Sequence, residues 1–166
     1  MKNVTVGIPA FHANAHICKA LASIASQTMA DQISVVIAKD DPNDNYDFVK
    51  ERFPDLDITI VDCEKNTGPG LARQRALDAC KTLWITFMDA DDIFATAFGV
   101  ENLYRNIEAN NIQVMGTFLQ EVDNNPTIRV IQMTNKNHPW VFGRLYNVEF
   151  LRKNNVRFSE LRAMED

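Results

Sequence analysis

The densest chemistry in the chain lies in Phe87-Met88-Asp89-Ala90-Asp91-Asp92, where an apolar run stops at three carboxylates. Carboxylates crowded this closely repel one another, so a site that keeps them all ionised calls for a cation, most simply Mg²⁺ or Mn²⁺. Two other stretches carry complementary groups. Lys39-Asp40-Asp41-Pro42-Asn43-Asp44 is an acidic, turn-forming loop, and Asn66-Thr67-Gly68-Pro69-Gly70 is a glycine-rich turn leading to Arg73 and Arg75. Carboxylates accept hydrogen bonds from a base N–H or a ribose hydroxyl, arginines pair with phosphate, and a metal bridges carboxylate and diphosphate oxygens. Together the three stretches describe a site for a nucleoside diphosphate.

Such a site needs elements that bring the stretches to one edge. Asn3 to Pro9 alternates Val4, Val6 and Ile8 with smaller residues and reads as a strand that Pro9 ends. Ile17, Cys18, Leu21, Ile24 and Ala25 fall on one helical face, with Asn14 as the expected N-cap. Ile33 to Ala38 predicts a second strand, and Tyr46 to Phe53 a short helix stopped by Pro54. Ile58 to Val61 predicts a third strand. Leu71, Ala72, Ala76, Leu77 and Cys80 mark a helix after the glycine turn, and Leu83 to Met88 a fourth strand. Strands alternating with helices predict βαβ units and a mostly parallel sheet, which binds ligands at the strands' carboxyl ends. Residues 1–92 thus read as a nucleotide-binding half.

Past the acidic cluster, Val100, Leu103, Tyr104 and Ile107 predict another helix. Val114 to Val122 and Thr127 to Met133 predict an antiparallel hairpin turning at Asp123-Asn124-Asn125-Pro126, which makes the sheet mixed. A last helix is expected from Val148 to about Asn154. The chain ends on Glu165-Asp166, after Phe158, Leu161 and Met164, with no closing element. The expectation is one α/β domain over 1–166, the N-terminal part of something longer, in which 93–166 begins a second half.

The 166 residues are 46% hydrophobic and 23% charged, which suits a globular domain with a real core. Lys and Arg number 17 against 22 Asp and Glu, and the resulting charge of −5 disfavours broad nucleic-acid binding. Cys18, Cys63 and Cys80 lack paired metal or redox spacing and read as small buried hydrophobes in a reducing compartment. His12 and His16 are four apart, but the expected helix start at Asn14 separates them, so they read as surface or loop polar residues rather than a metal pair. No apolar stretch approaches a membrane span and no signal peptide is evident, so the expected location is cytoplasmic.

In order along the chain, these motifs resemble the inverting family 2 glycosyltransferases of the GT-A fold. Val6-Gly7-Ile8-Pro9-Ala10-Phe11 looks like the family's opening strand, and Ser23-Ile24-Ala25-Ser26-Gln27-Thr28 like its S-I-x-x-Q-T helix end. The acidic loop stands for V-D-D-G-S-x-D, and Asn66-Thr67-Gly68 with Ala72-Arg73-Gln74 for N-x-G and A-R-N. Phe87 to Asp92 is similar to F-L-D-A-D-D, which contains the metal-binding D-x-D. Phe142-Gly143-Arg144-Leu145-Tyr146, Phe158-Ser159-Glu160 and Glu165-Asp166 look like the W-G-K-L-Y, F-x-E and E-D segments that end in the catalytic base.

The resemblance implies a three-layer α/β/α sandwich with a mixed, mostly parallel central sheet. It implies transfer of a sugar, with inversion, from a nucleoside-diphosphate donor of the UDP-sugar type to a hydroxyl acceptor: a glycan, a lipid-linked sugar or another acceptor, including one at a membrane surface. Asp41 or Asp40 would meet the nucleobase, with Pro9 and Phe11 lining its pocket and Asn66, Gly68 and Ala90 completing the donor site. Arg73 would approach the diphosphate or the acidic loop, Asp89 the ribose, sugar or metal, and Asp91 the Mn²⁺ or Mg²⁺. Asp166 would be the general base, with Glu165 beside it. Departures from the pattern fall at Pro42-Asn43, Gln74 and Phe142, which stand for the usual Gly-Ser, Asn and Trp.

Simpler roles compete. Asp89, Asp91 and Asp92 are also good caps for a following helix, and Asp40, Asp41 and Asp44 good turn residues. Arg75 reads as a solvated helix charge, Trp140 and Trp84 as packing residues. A metal-dependent phosphotransferase also sets D-x-D after a strand, with the first Asp as nucleophile, but after the first strand rather than the fourth. A non-catalytic nucleotide-sugar-binding fragment is the other alternative.

Overall fold

The computed structural model describes residues 2–110, 114–116, 118–121, 128–131, 141 and 143–160. Its strands are β1 (Val4–Ala10), β2 (Ile33–Lys39), β3 (Asp57–Val61), β4 (Trp84–Phe87), β5 (Val114–Gly116), β6 (Phe118–Glu121), β7 (Ile128–Ile131) and β8 (Arg144–Asn147). Its helices are α1 (Ile17–Ala25), α2 (Phe48–Arg52), α3 (Pro69–Ala79), α4 (Gly99–Asn110) and α5 (Val148–Lys153). The main sheet runs β3-β2-β1-β4-β8-β5. β1 to β4 are mutually parallel, while β8 is antiparallel to both β4 and β5.

Strand alternation sorts side chains into two cores. Val4, Val6 and Ile8 of β1 and Ile33, Val35 and Ile37 of β2 face Ile17, Leu21 and Ile24 of α1, Val49 of α2, and Val100, Leu103 and Ile107 of α4. On the other face, Val36, Ala38, Ile85 and Phe87 meet Ala72, Ala76 and Leu77 of α3 and Val148 and Leu151 of α5. Each fully buried Val, Leu or Ile stabilises by about 1.5–3 kcal/mol relative to exposure, so the period-2 pattern largely dictates the sandwich. Gly7 decides how close α3 comes. A Cβ there would lie 3.1 Å from the Ala76 Cβ and from the Phe87 ring. Small residues on both sides therefore let the helix sit tightly on the central strand.

Several expectations need correction. The helix after β1 starts at Ile17 with His16 at its cap position and no side-chain cap bond, while Asn14 lies in a preceding 3-10 turn. Buried Ile17 is the first residue of its apolar face, so packing and not a polar cap sets the start. The hairpin is narrower than expected: β6 pairs with β7 as a separate two-stranded sheet, and Val114–Gly116 joins the main sheet instead. The main sheet is mixed because of β8, a four-residue strand that sequence patterning does not reveal. The turn at Asp123 to Pro126 lies outside the described residues, as do Trp140, Phe142, Leu161 and Met164.

Strand order turns at β1, since the connection leaving it leads to β2 on one side and the later β3-to-β4 crossover returns to its other side. Open α/β sheets leave a crevice at the carboxyl ends of the strands flanking such a switch point, here β1 and β4.

Candidate functional site

The carboxyl ends of β1, β2 and β4 and the head of α3 enclose a cleft of about 540 Å³, within the usual size for a small-ligand site. Pro9, Phe11, Asp40, Asn66, Gly68, Arg73, Asp89, Ala90 and Asp91 all line it. Asp41 is not among the lining residues, whereas His12 and His16 are. Glu165 and Asp166 lie outside the described residues.

Asp40 is buried and saturated. Its Oδ1 accepts from the Thr67 N–H at 2.9 Å, the Thr67 hydroxyl at 3.0 Å and Arg75 at 3.0 Å, and its Oδ2 accepts from the Gly68 N–H at 2.9 Å. It therefore ties the end of β2 to the turn that opens α3. Gly68 takes φ 90°, a conformation that side chains resist, and Pro69 opens the helix behind it. That geometry turns the positive end of α3 toward the cleft, where it favours an anion.

The two arginines of α3 divide their work because residues two apart face different sides of a helix. Arg73, 6% exposed, donates to Asp89 Oδ1 at 2.8 Å. Arg75 points away from that pair and donates to Thr67 Oγ1, the Lys39 carbonyl and Asp40. It is a part-buried clamp rather than a solvated charge. Gln74 faces elsewhere again, accepting from the Phe158 N–H at 3.0 Å and donating to Asp78. Phe158 packs its ring edge against Phe87 at 5.1 Å, so Gln74 and Phe87 together seat the segment that leads toward Asp166.

A second clamp holds the loop after β1. The Asp44 carboxylate accepts from the His12 N–H at 2.7 Å and the Tyr46 hydroxyl at 2.8 Å, and Tyr46 Oη accepts from the Ala13 N–H at 3.0 Å. Burial alone would raise the Asp44 carboxyl, but hydrogen bonds from Tyr46 and His12 outweigh it and hold the group below its ordinary 3.8. A depressed carboxyl stabilises the fold above its ordinary range, and that contribution is lost as pH falls through the lower folded value. Urea midpoints measured from pH 6 down to pH 3 are expected to show Asp44→Asn less stable than the wild type at pH 6, with the gap closing toward pH 3. A gap that stays constant across that range would rule out this role for the carboxylate.

Asp89, Asp91 and Asp92 follow β4 in a turn closed by the Asp92 N–H on the Asp89 carbonyl at 3.1 Å. Burial first, then Asp89 and Asp91, pushes the Asp92 carboxyl up to about 6, although its side chain still reaches solvent. Among the described residues no three His, Cys, Asp or Glu side chains converge as a metal cage. Asp89 is engaged by Arg73, and Asp91 is exposed at the cleft wall. Mg²⁺-like ions are commonly held by one or two carboxylates plus substrate phosphates. The donor set fits a cation shared between Asp91 and a bound diphosphate, not an all-protein site.

A mostly parallel sheet with a switch-point cleft, a glycine-turned helix head, a buried arginine and a carboxylate cluster define a nucleotide-binding α/β domain of GT-A type. The chain belongs to glycosyl transferase family 2, whose family model matches residues 5–163. It is 29% identical over 125 residues to the UDP-Glc:alpha-D-GlcNAc-diphosphoundecaprenol beta-1,3-glucosyltransferase WfgD of Escherichia coli, covering 75% of this chain and 49% of that protein. It is 30% identical over 105 residues to glycosyltransferase GlyA of Streptococcus pneumoniae, covering 63% of this chain and 15% of that protein. The fold matches S. aureus TarS in complex with UDP-GlcNAc at a TM-score of 0.84 and 22% identity, covering 100% of this chain and 51% of that one. It also matches the mannosyltransferase PcManGT of Pyrobaculum calidifontis in complex with GDP-Man and Mn²⁺ at 0.73 and 18%, covering 95% of this chain and 48% of that one. The chain thus spans about half or less of the length of these relatives.

Proposed function

We propose that this chain is the donor-binding part of a glycosyltransferase that moves a sugar from a UDP-sugar to an acceptor hydroxyl with inversion. The observation that carries the reading is the single cleft joining the head of α3, Arg73 and the Asp89–Asp91 turn. The helix end and Arg73 suit a diphosphate, and Asp89, held by Arg73, suits a ribose or sugar hydroxyl. Asp89 is ion-paired, which makes it a poor nucleophile and speaks against the phosphotransferase alternative. UDP-GlcNAc in the TarS structure supports a uridine donor, and the lipid-linked substrate named for WfgD supports a glycan or lipid-linked acceptor, including one presented at a membrane surface.

A Mn²⁺ or Mg²⁺ bound through Asp91 would supply positive charge to the departing diphosphate. Asp166, with Glu165 beside it, is proposed as the base that takes the acceptor hydroxyl proton as the oxygen attacks the anomeric carbon. No helix among the described residues is long and apolar enough to cross a membrane. Cys18, Cys63 and Cys80 are all free thiols, which fits a cytoplasmic setting.

Calorimetric titration with UDP, with and without Mn²⁺, tests the donor site. Wild type is expected to bind UDP about tenfold or more tighter with Mn²⁺, and Asp91→Asn to lose that gain. An Asp91→Asn chain that keeps the full Mn²⁺ gain would overturn the metal assignment. In a chain that transfers sugar, Asp166→Asn is expected to abolish transfer while leaving UDP affinity intact.

A further inference from the structure

We propose that the end of α1 fixes the acidic turn after β4, with Ser23 and Gln27 as positioning residues that set where Asp91 stands at the cleft. The inference rests on the reading of Asp91 as a ligand of the donor's cation, and it adds residues that do not line the cleft themselves.

Between Phe87 at the end of β4 and Gly99 at the start of α4 the chain forms no helix or strand. Like charges at Asp89, Asp91 and Asp92 push the turn open. Its own backbone closure is the bond from the Asp92 N–H to the Asp89 carbonyl at 3.1 Å. Before the turn, the Met88 N–H is held by the Gly7 carbonyl of β1 at 3.1 Å. After it, the partners come from α1.

Ser23 Oγ accepts the Phe94 N–H at 3.1 Å and donates to the Ala20 carbonyl at 2.7 Å, so its own helix orients the hydroxyl. Gln27 is buried, and its amide joins the two elements. Nε2 donates to the Ser23 carbonyl at 3.1 Å and the Thr96 carbonyl at 2.8 Å, while Oε1 accepts the Val100 N–H at 3.1 Å. Turned over, the amide would set an N–H against the Val100 N–H, so one orientation alone satisfies all three. The Val100 N–H is among the donors that a helix head leaves without an internal partner, and Gln27 caps α4 from a different helix. Thr28 adds its N–H to the Ala97 carbonyl at 2.8 Å, and its hydroxyl reaches Glu101. The acidic turn is thus suspended between Met88 on the sheet and Phe94 on Ser23, with Asp91 inside the span. A buried amide with every polar atom paired fixes the register of this connection, which an apolar side chain of the same volume would not.

The test is calorimetric titration with UDP, with and without Mn²⁺, of Ser23→Ala, Ser23→Thr and Gln27→Ala, alongside urea unfolding of each. Ala is a better helix former than Ser, so Ser23→Ala keeps α1 and removes the hold on Phe94 even if Gln27→Ala is too unstable to titrate. Metal-free UDP binding, which draws on the head of α3 and Arg73, is expected to stay within about twofold in every variant. The Mn²⁺ gain, about tenfold or more in wild type, is expected to shrink to about threefold or less in Ser23→Ala and Gln27→Ala, and to return in Ser23→Thr, which restores the hydroxyl. A full Mn²⁺ gain in Ser23→Ala, whatever its stability, an equal loss of metal-free binding, or a loss that Ser23→Thr does not restore would each overturn the inference. A wild-type chain that gains nothing from Mn²⁺ would instead sink the reading of Asp91, and this inference with it.

Discussion

Asp40→Ala is expected to destabilise the chain by about 3–5 kcal/mol, the scale for removing one partner of a buried charged pair. The carboxylate accepts four hydrogen bonds, from the Thr67 and Gly68 N–H groups, the Thr67 hydroxyl and Arg75. Its removal strands two backbone donors and takes from the part-buried Arg75 guanidinium its carboxylate, leaving it the neutral Thr67 and Lys39 oxygens. Arg75 already keeps a buried Nε without a partner among the described residues, so the clamp has little slack to absorb a second loss. Asp40→Asn keeps the shape but replaces an acceptor oxygen with a donor, and should cost less than Asp40→Ala and still more than 1 kcal/mol or so. Adding Arg75→Met to Asp40→Ala should recover part of the loss, because the stranded cation is then gone. Urea unfolding of the four chains measures all of this. A loss below about 1 kcal/mol for Asp40→Ala would mean that the loop does not depend on this anchor.

Arg73→Met has the opposite profile, a small effect on stability and a large one on binding. Met keeps an apolar stem of similar length and removes the charge. The partner left behind, Asp89, has a side chain 38% exposed and can hydrate, so unfolding free energy should fall by only about 1–2 kcal/mol. Ligand affinity is another matter. Without Arg73 the turn after β4 presents Asp89, Asp91 and Asp92 with no cation paired to them among the described residues, and an incoming diphosphate meets repulsion where it met a charge-assisted donor. UDP affinity is expected to drop about 30- to 100-fold without metal and less with saturating Mn²⁺, which restores positive charge. Pyrophosphate should lose as much as UDP. Retention of UDP affinity within about twofold would show that Arg73 does not meet the diphosphate.

These two residues show what could be read from the chain and what could not. Both were picked out in the sequence as donor-site groups, Asp40 because an acidic loop follows a strand and Arg73 because it follows a glycine turn. The structure places both at one cleft but gives them different work: Asp40 is spent holding Thr67, Gly68 and Arg75, while Arg73 stands at the wall beside Asp89. Arg75 was read as a solvated charge because helix position alone does not say which side carries a neighbour. His12 reads in the sequence as a surface or loop residue and is one, with its ring 61% exposed after β1. Its place at the cleft wall depends on Asp44 and Tyr46, more than thirty residues away, and on a backbone conformation that histidine only occasionally adopts. Strand β8 stayed hidden because four residues carry too little periodicity, and only pairing with β4 and β5 makes them a strand.

By itself the sequence determined the alternation of strands and helices, the two apolar faces that make the sandwich, and the three polar stretches that follow the strands. Those properties are local: periods of 2 and 3.6, prolines and glycines at turns, and carboxylates where apolar runs stop. Only the tertiary structure decided which carboxylate is buried as an anchor, which arginine faces the cleft, and that both Asp41 and Asp44 turn toward His12. Hydrogen-bond partners and burial are set by how separate elements pack, and the cluster after β4 shows this within four residues. Asp89 is paired, Asp91 is exposed at the cleft, and Asp92 is pushed up in pKa, although the sequence presents all three as the same acid.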